Sequence, residues 1–388
     1  MKKILWLASW YPNKISQQNG DFIQRHAEAV AIFQPIEVIF VVKDEYGIVT
    51  DHVTIENFNH GNLCETVAYY KPYASGIKTL DRIVSVITFF KVFNKLVTAF
   101  IKSNGIPKLV HVHVAMWAGL VAVWLKVIKG IPYIVTEHWT GYHKNAIESI
   151  YNKGWIFKKI SISILKNADL LLPDSHHLGV CIHDNIFPVK FLHVSNVVNT
   201  DYFNSSLYQG SEFRFIHVSS MKPQKNAQGL LRAFSKLLLT HKNCRLIMVG
   251  PVSDDLRREP ESLTLKDRVK WMGSLSYNEV APAMTASSVL VMFSRYENQP
   301  CVILEALCLG LPVISTNVGG IPEVINENNG ILIDSENETQ LVQAMINMVN
   351  NYKEFNKTAI SESAKAKYNY SAIGKIISDL YRSYPGVG

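Results

Sequence analysis

Cysteine is scarce and wrongly spaced for cross-links or metal: Cys64, Cys181, Cys244, Cys301 and Cys308 are odd in number and form no C-x-x-C pair. This argues against a structural zinc site and fits a reducing compartment. No G-x-G-x-x-G follows the first apolar run, Ile4 to Ala8, so a dinucleotide-binding first domain lacks support. Long uninterrupted hydrophobic runs are missing too. The most apolar region, Leu109 to Val135, is cut by His111, His113, Lys126, Lys129 and Gly130-Ile131-Pro132, and no membrane-spanning helix is expected. Lys2-Lys3 followed by Ile4-Leu5-Trp6-Leu7-Ala8 lacks the length and the small-residue cleavage site of a signal peptide, and reads as a buried strand. The net charge of +7 is modest and resides mostly in residues 1–199, which carry +6, and no nucleic-acid motif accompanies it.

With 388 residues, 48% hydrophobic and 18% charged, the chain holds material for two cores. Apolar strands recur with helical segments between them, the pattern of parallel α/β layering. The expected strands are Ile4-Ala8, Ile36-Val42, Val110-Val114, Tyr133-Thr136, Leu170-Pro173 and Phe191-Ser195, then Phe215-Ser219, Arg245-Val249, Val269-Met272, Val289-Phe293, Pro312-Ser315 and Gly330-Ile333. They make two Rossmann-like sheets, with a polar, turn-rich boundary at 196–211 and a last helix over Tyr368-Tyr384.

The stretch Ser294-Ile325 reads strand end, turn, short apolar helix, strand and glycine turn. Glu305 lies among Val302, Ile303, Leu304, Ala306 and Leu307, where an ionised carboxylate needs a polar partner. A ligand hydroxyl and a Lys or Arg from elsewhere in the core serve equally. The helix start leaves the amides of Cys301, Val302 and Ile303 as an anion seat. Lys225 follows a strand and precedes a helix, where its ammonium either neutralises a pyrophosphate or is merely solvated. Gly20 stands before a helix starting near Asp21, as a phosphate approach or an ordinary turn. His138 ends a strand, on the side where open sheets collect ligands. His111 and His113 share one strand face, as packing or pocket wall, with metal binding the lesser reading, and Asp254-Asp255 sits in a polar loop. In Asp81-Lys102, Lys91, Lys95 and Lys102 share a helical face opposite apolar side chains, so the helix either packs on the first sheet or lies on a membrane.

Glu297, seven residues, Glu305 and then LCLGLPVISTNVGGIPEVI closely resemble the signature of retaining glycosyltransferases of family 4, over about thirty residues. The resemblance implies a GT-B fold: an acceptor domain at 1–198, a donor domain at 199–367, sheets facing across a cleft, and a helix at 368–388 crossing back. It implies that Glu297 contacts donor-sugar hydroxyls and Glu305 the ribose, that Asn298 and Gln299 face the sugar, that Lys225 and the amides of Cys301, Val302 and Ile303 hold the pyrophosphate, and that Gly20 and His138 line the reaction centre. The donor would be a UDP- or GDP-sugar, with no bound metal and no cofactor. The acceptor would be a saccharide or lipid-linked hydroxyl in cell-surface polysaccharide or glycolipid assembly. The setting would be cytoplasmic, with peripheral contact on the inner membrane face through 81–102.

Three departures stand out. Asn298-Gln299 replaces the usual Gly-Phe, Ser220 occupies a position usually held by Arg, and Asn196-Val197-Val198-Asn199 replaces Asn-Gly-Val-Asp. Lys222 or Arg25 would supply the missing charge, or the leaving group would rely more on the helix amides. The alternatives are a GT-B nucleotide-sugar epimerase and a non-catalytic sugar-nucleotide-binding subunit.

Overall fold

The computed structural model describes residues 2–203, 210–263, 265 and 267–384. The chain divides into two compact units, Met1–Trp139 with Ile150–Ser195 and Tyr370–Gly388, and Thr140–Ser149 with Asn196–Asn369.

The first unit contains β1 (Ile4–Ala8), α1 (Asp21–Ala31), β2 (Ile36–Lys43), β3 (Val53–His60), β4 (Leu63–Tyr70), α2 (Lys78–Asn104), β5 (Val110–His113), α3 (Ala118–Lys129), β6 (Tyr133–Glu137), α4 (Trp155–Asn167), β7 (Leu170–Pro173) and α5 (His176–Asn185). Its sheet runs β3-β4-β2-β1-β5-β6-β7, parallel except for the β3–β4 hairpin. Every residue of β1 is buried, because helices cover both sheet faces. The chain lays β2 on one side of β1 and later β5 on the other, a switch point of the kind that binds ligands beyond the strand ends. Right-handed crossovers then put α1 on one face and α2, α3 and α4 on the other. The packing agrees: α2 lies on β2 and touches α3, and α3 touches α4. Gly119 allows that last approach, since a Cβ there would sit 2.4 Å from Ile164 Cγ2.

The second unit contains β8 (Phe213–Val218), α6 (Ala227–Leu238), β9 (Cys244–Val249), α7 (Asp254–Ser262), β10 (Val269–Gly273), α8 (Tyr277–Thr285), β11 (Val289–Met292), α9 (Cys301–Cys308), β12 (Val313–Thr316), β13 (Gly330–Ile333), α10 (Glu338–Asn351) and α11 (Lys357–Tyr368). Its sheet is wholly parallel, in the order β10-β9-β8-β11-β12-β13, so its switch point lies between β8 and β11. The last helix, α12 (Tyr370–Ser383), belongs to the first unit and packs on α1. Gly374 makes this contact possible, because a Cβ there would lie 2.1 Å from the Ala29 carbonyl oxygen.

Several sequence expectations need correction. Phe191-Ser195 is not a strand: only Phe191 bridges to Leu171, and its ring fills the space left by Gly179. β3 and β4 are additions, a hairpin in which β3 is a largely polar edge strand and β4 is mostly buried beside β2. Asp254-Asp255 opens α7 rather than lying in a loop. The single helix expected over Tyr368-Tyr384 is broken at Asn369, whose side chain donates to the Lys365 carbonyl at 2.6 Å. Within the expected boundary at 196–211, Val197 and Val198 are buried, while 204–209 lie outside the described residues. α2 buries Val92, Phe93, Leu96, Val97 and Phe100 in the first unit, yet by length and composition it is also apolar enough to cross a membrane, which the sequence reading did not anticipate.

Candidate functional site

Two loops at the carboxyl ends of β8 and β11 bring Lys225 and Glu297 together. After β8, buried His217 holds Ser219 Oγ at 2.7 Å, and that oxygen accepts the Met221 amide at 3.0 Å. Pro223–Lys225 forms one tight turn, and Asn226, at φ 48°, caps α6 by accepting the Gly229 amide at 3.3 Å. α6 is anchored by Leu230, Leu231, Phe234 and Leu237, each fully buried and contributing about 1.5–3 kcal/mol. Lys225 therefore stands on a rigid support.

The β11 loop is stitched to this turn. The Arg295 amide donates to the Gln224 carbonyl at 2.8 Å, and Gln224 Nε2 donates to the Tyr296 carbonyl at 2.7 Å. The Arg295 guanidinium binds the Pro223 carbonyl and Glu336, and reaches Asn226 Oδ1 at 3.1 Å. Lys225 Nζ then lies 2.5 Å from Glu297 Oε1, with side-chain exposures of only 16% and 6%. Glu297 is buried and Lys225 half-buried, so removing the lysine leaves a buried carboxylate without its counter-charge.

The turn carrying Glu297 leans on the glycine turn after β12. Gly319 adopts φ +57°, and a Cβ on it would stand 1.7 Å from the Glu297 carbonyl oxygen, while the Gly320 amide donates to the Asn298 carbonyl at 2.9 Å. Gly319→Ala should therefore displace Glu297 and lower both the melting temperature and donor affinity. A calorimetric titration showing unchanged donor affinity in a folded variant would contradict this coupling.

Other expected donor contacts are placed differently. Asn298 Oδ1 lies 2.7 Å from His143 Nε2, and Gln299 Oε1 accepts the Asn196 amide at 2.7 Å, while Asn196 Nδ2 donates back to the Gln299 carbonyl at 2.8 Å. Both side chains are buried and engaged with the second unit's own chain, contrary to the expectation that they face a ligand. The Ile303 amide is bonded to the Pro300 carbonyl at 3.1 Å, so it is already engaged within the first turn of α9. Glu305 is buried on α9 as expected, Cys301 and Val302 are half-buried at its start, and Ser220 and Lys222 are exposed after β8. A concavity of about 890 Å³ elsewhere in the second unit, bordered by Asn328, Asn347 and Asn356, includes neither Lys225, Glu297 nor Glu305. Among the described residues no group of three or more His, Cys, Asp or Glu is placed to hold a metal ion.

Comparison with known proteins gives this geometry a context. The profile of "Glycosyl transferases group 1" matches residues 198–366, the part carrying both loops. An uncharacterised glycosyltransferase of Methanocaldococcus jannaschii is 30% identical over 272 residues, 68% of this chain and 71% of that protein. The chain belongs to the glycosyl transferases group 1 family. Two solved structures share the fold of this glycosyltransferase. Sucrose-phosphate synthase from Thermosynechococcus elongatus has a TM-score of 0.78 at 19% identity, covering 98% of each chain. Anabaena HepE in complex with UDP-glucose has a TM-score of 0.72 at 16% identity, covering 99% of this chain and 100% of that one. The fold is thus GT-B, with two Rossmann-like α/β domains.

In the first unit of the glycosyltransferase, Gly20 caps α1 at φ +69°, and a Cβ there would meet the Trp10 carbonyl carbon at 2.6 Å, which explains the glycine by packing. Arg25 is paired with Asp21 at 2.8 Å, and so is not a spare cation. His138 is buried with Nδ1 3.5 Å from Asp174 Oδ2, and desolvation lowers its pKa to about 3. It belongs to a buried cluster. His26 lies 5.7 Å from it between ring centroids, His111 sits between Tyr381 and Thr136 hydroxyls at 2.5 and 2.6 Å, and His113 stacks on Trp6 at 3.9 Å. Packing, the bland reading of His111 and His113, describes both.

Sequence reasoning missed Gln224, Arg295, Glu336 and His143, and read Asn196 only as part of the inter-domain boundary. An arginine directly before Tyr296-Glu297, and a glutamine directly before Lys225, were the available signals.

Proposed function

We propose that this glycosyltransferase moves a sugar from a nucleoside diphosphate sugar to a hydroxyl of a saccharide or lipid-linked acceptor, with retention of anomeric configuration and without a bound metal, in cell-surface polysaccharide or glycolipid assembly. The observation that carries this reading is the Lys225–Glu297 pair, largely shielded and 2.5 Å apart at the β8/β11 switch point. A leaving nucleoside diphosphate needs a cation beside it, and a sugar needs an acceptor for its hydroxyls. The pair offers both within one side-chain contact.

Departure of the diphosphate breaks the bond from the anomeric carbon to phosphate oxygen while positive charge grows on the sugar, so stabilising the leaving group is the main demand. Lys225 and the amide end of α9 around Val302 would take the phosphates, Glu297 would exchange its lysine for donor hydroxyls, and Glu305 would take the ribose. The acceptor oxygen then bonds the anomeric carbon from the same side, and its proton passes to the departing phosphate oxygen. The β1/β5 switch point of the first unit is the corresponding place for the acceptor. Neutral His138 fits a hydrogen-bonding role there better than a charged one.

The UDP-glucose complex of Anabaena HepE supports a uridine donor as the first trial. Thermal unfolding with a panel of UDP- and GDP-sugars should single out one donor. At a hundred times its dissociation constant that donor adds about 2.7 kcal/mol, or roughly 5–10 °C for a domain of this size. Release of nucleoside diphosphate should then require an acceptor hydroxyl. Release without acceptor, accompanied by epimerised sugar, would favour the epimerase. Failure of every nucleotide sugar to shift the transition would reject the donor assignment.

A further inference from the structure

We propose that the face of the first unit formed by α2, α3 and α4 docks on an anionic lipid bilayer. These helices cover the same side of the sheet and touch in sequence, α2 to α3 to α4. Their inner stripes are packed, yet each also turns large apolar side chains outward. On α2 the first turns expose Leu80, Ile83 and Ile87, before the stripe that packs on the sheet begins. α3 exposes Trp124 and Val127, the latter at 73%, and α4 exposes Trp155 at 67% beside Ile156. On the opposite face α1 and α12 bury Ile23, Val30, Ile373 and Ile377, leaving Ile376 as the large apolar side chain that α12 exposes.

Charge follows the same division. α2 carries five Lys or Arg against Asp81 alone, while α3 carries two lysines and α4 three, with no Asp or Glu on either. That is a net +9 on three helices, in a chain whose whole net charge is +7. Lys126 is matched by Asp169 at 2.8 Å, and Lys159 lies over the Trp155 ring at 5.1 Å. Aliphatic side chains interspersed with lysines and two tryptophans suit the boundary between head groups and acyl chains.

The charge selects the occupant. A second copy joined symmetrically through this face would set like charge against like. An anionic bilayer is complementary to the lysines and accepts the aliphatic groups beneath them.

The test uses the full chain and vesicles of phosphatidylcholine, with or without roughly one-third phosphatidylglycerol. Co-sedimentation should show at least about tenfold tighter binding to the anionic vesicles, and high salt should abolish the difference. Ile83→Glu with Ile87→Glu should lower binding about tenfold or more at unchanged melting temperature. The exposed pair Lys159→Glu with Lys166→Glu should do the same, and covers the case in which the first variant misfolds. Brominated acyl chains should quench tryptophan emission, and most of that quenching should vanish in a Trp124→Phe, Trp155→Phe variant. Equal binding to both vesicle types, no binding to either, or salt-dependent dimerisation in place of vesicle binding would each overturn the proposal. Vesicle binding is measured without turnover, so its failure would leave the donor reading untouched.

Discussion

Lys225→Ala and Glu297→Gln should each lower turnover by about 10²–10³-fold, equivalent to roughly 2.7–4 kcal/mol of transition-state stabilisation. The two groups meet at 2.5 Å, so neither can be judged by its own removal alone. Taking away the lysine leaves Glu297 as a buried charge without its partner, which costs stability as well as rate. Glu297→Gln keeps the shape and a hydrogen bond to sugar but leaves Lys225 without its counter-charge, a smaller cost because the lysine is the more exposed of the two, at 16% against 6%. The doubly substituted enzyme should therefore lose less than the product of the single losses. Steady-state kinetics with saturating donor, alongside melting curves, separates the roles. A pair that only held the two loops together would lower the melting temperature while the folded fraction kept its kcat. Full turnover by Glu297→Ala would sink the proposed site.

Acid should unfold the first unit well before the second. Burial depresses the pKa of His26 and His138 to about 3, and drives those of His111 and His113 well below the usual 6.5. In the unfolded chain these rings take protons near pH 6.5, whereas in the fold they stay neutral. Above that pH neither state binds a proton, and this contribution to stability is fully present. Between about 6.5 and 3 the unfolded chain gains protons that the fold refuses at His26 and His138, so stability falls as pH falls, by ~1.4 kcal/mol per unit for each of these two rings. His26 and His138 together give roughly 3 kcal/mol per pH unit, with His111 and His113 acting in the same direction, against a typical domain stability of about 5–15 kcal/mol. Asp174, 3.5 Å from His138, opposes the trend at one ring of the four. In the second unit His217 is similarly depressed, to about 4, because it too is desolvated. Urea melts from pH 7 to 4.5 should therefore resolve into two transitions, only the first of which moves steeply. His113→Phe should make that slope shallower, since its two ring nitrogens make no hydrogen bond and its main contacts are with Trp6 and His111. A midpoint that stays flat down to pH 5 would refute this account.

Much of the fold was legible because it is written locally. Runs such as Ile4–Ala8 and Val289–Met292 are apolar throughout, and parallel strands buried on both faces leave that trace. Glu305 could be found for the opposite reason, as an acid where the pattern demands apolar groups, and Glu297 by its spacing from Glu305 in the family signature. The supports of the site left no comparable trace. Gln224 and Glu297 are 73 positions apart, Asn196 and Gln299 103, and His143 and Asn298 155, so only the folded chain brings them together. The β3–β4 hairpin escaped notice because its polar edge strand carries too little alternation to identify.

Asn298 and Gln299 turn inward, to His143 and Asn196. Swapping letters at these two sites would then be a poor way to retune sugar preference, because both side chains are already spent on holding the chain to itself. Grafting the commoner Gly-Phe here would loosen the 140–149 segment sooner than it would change which sugar is accepted.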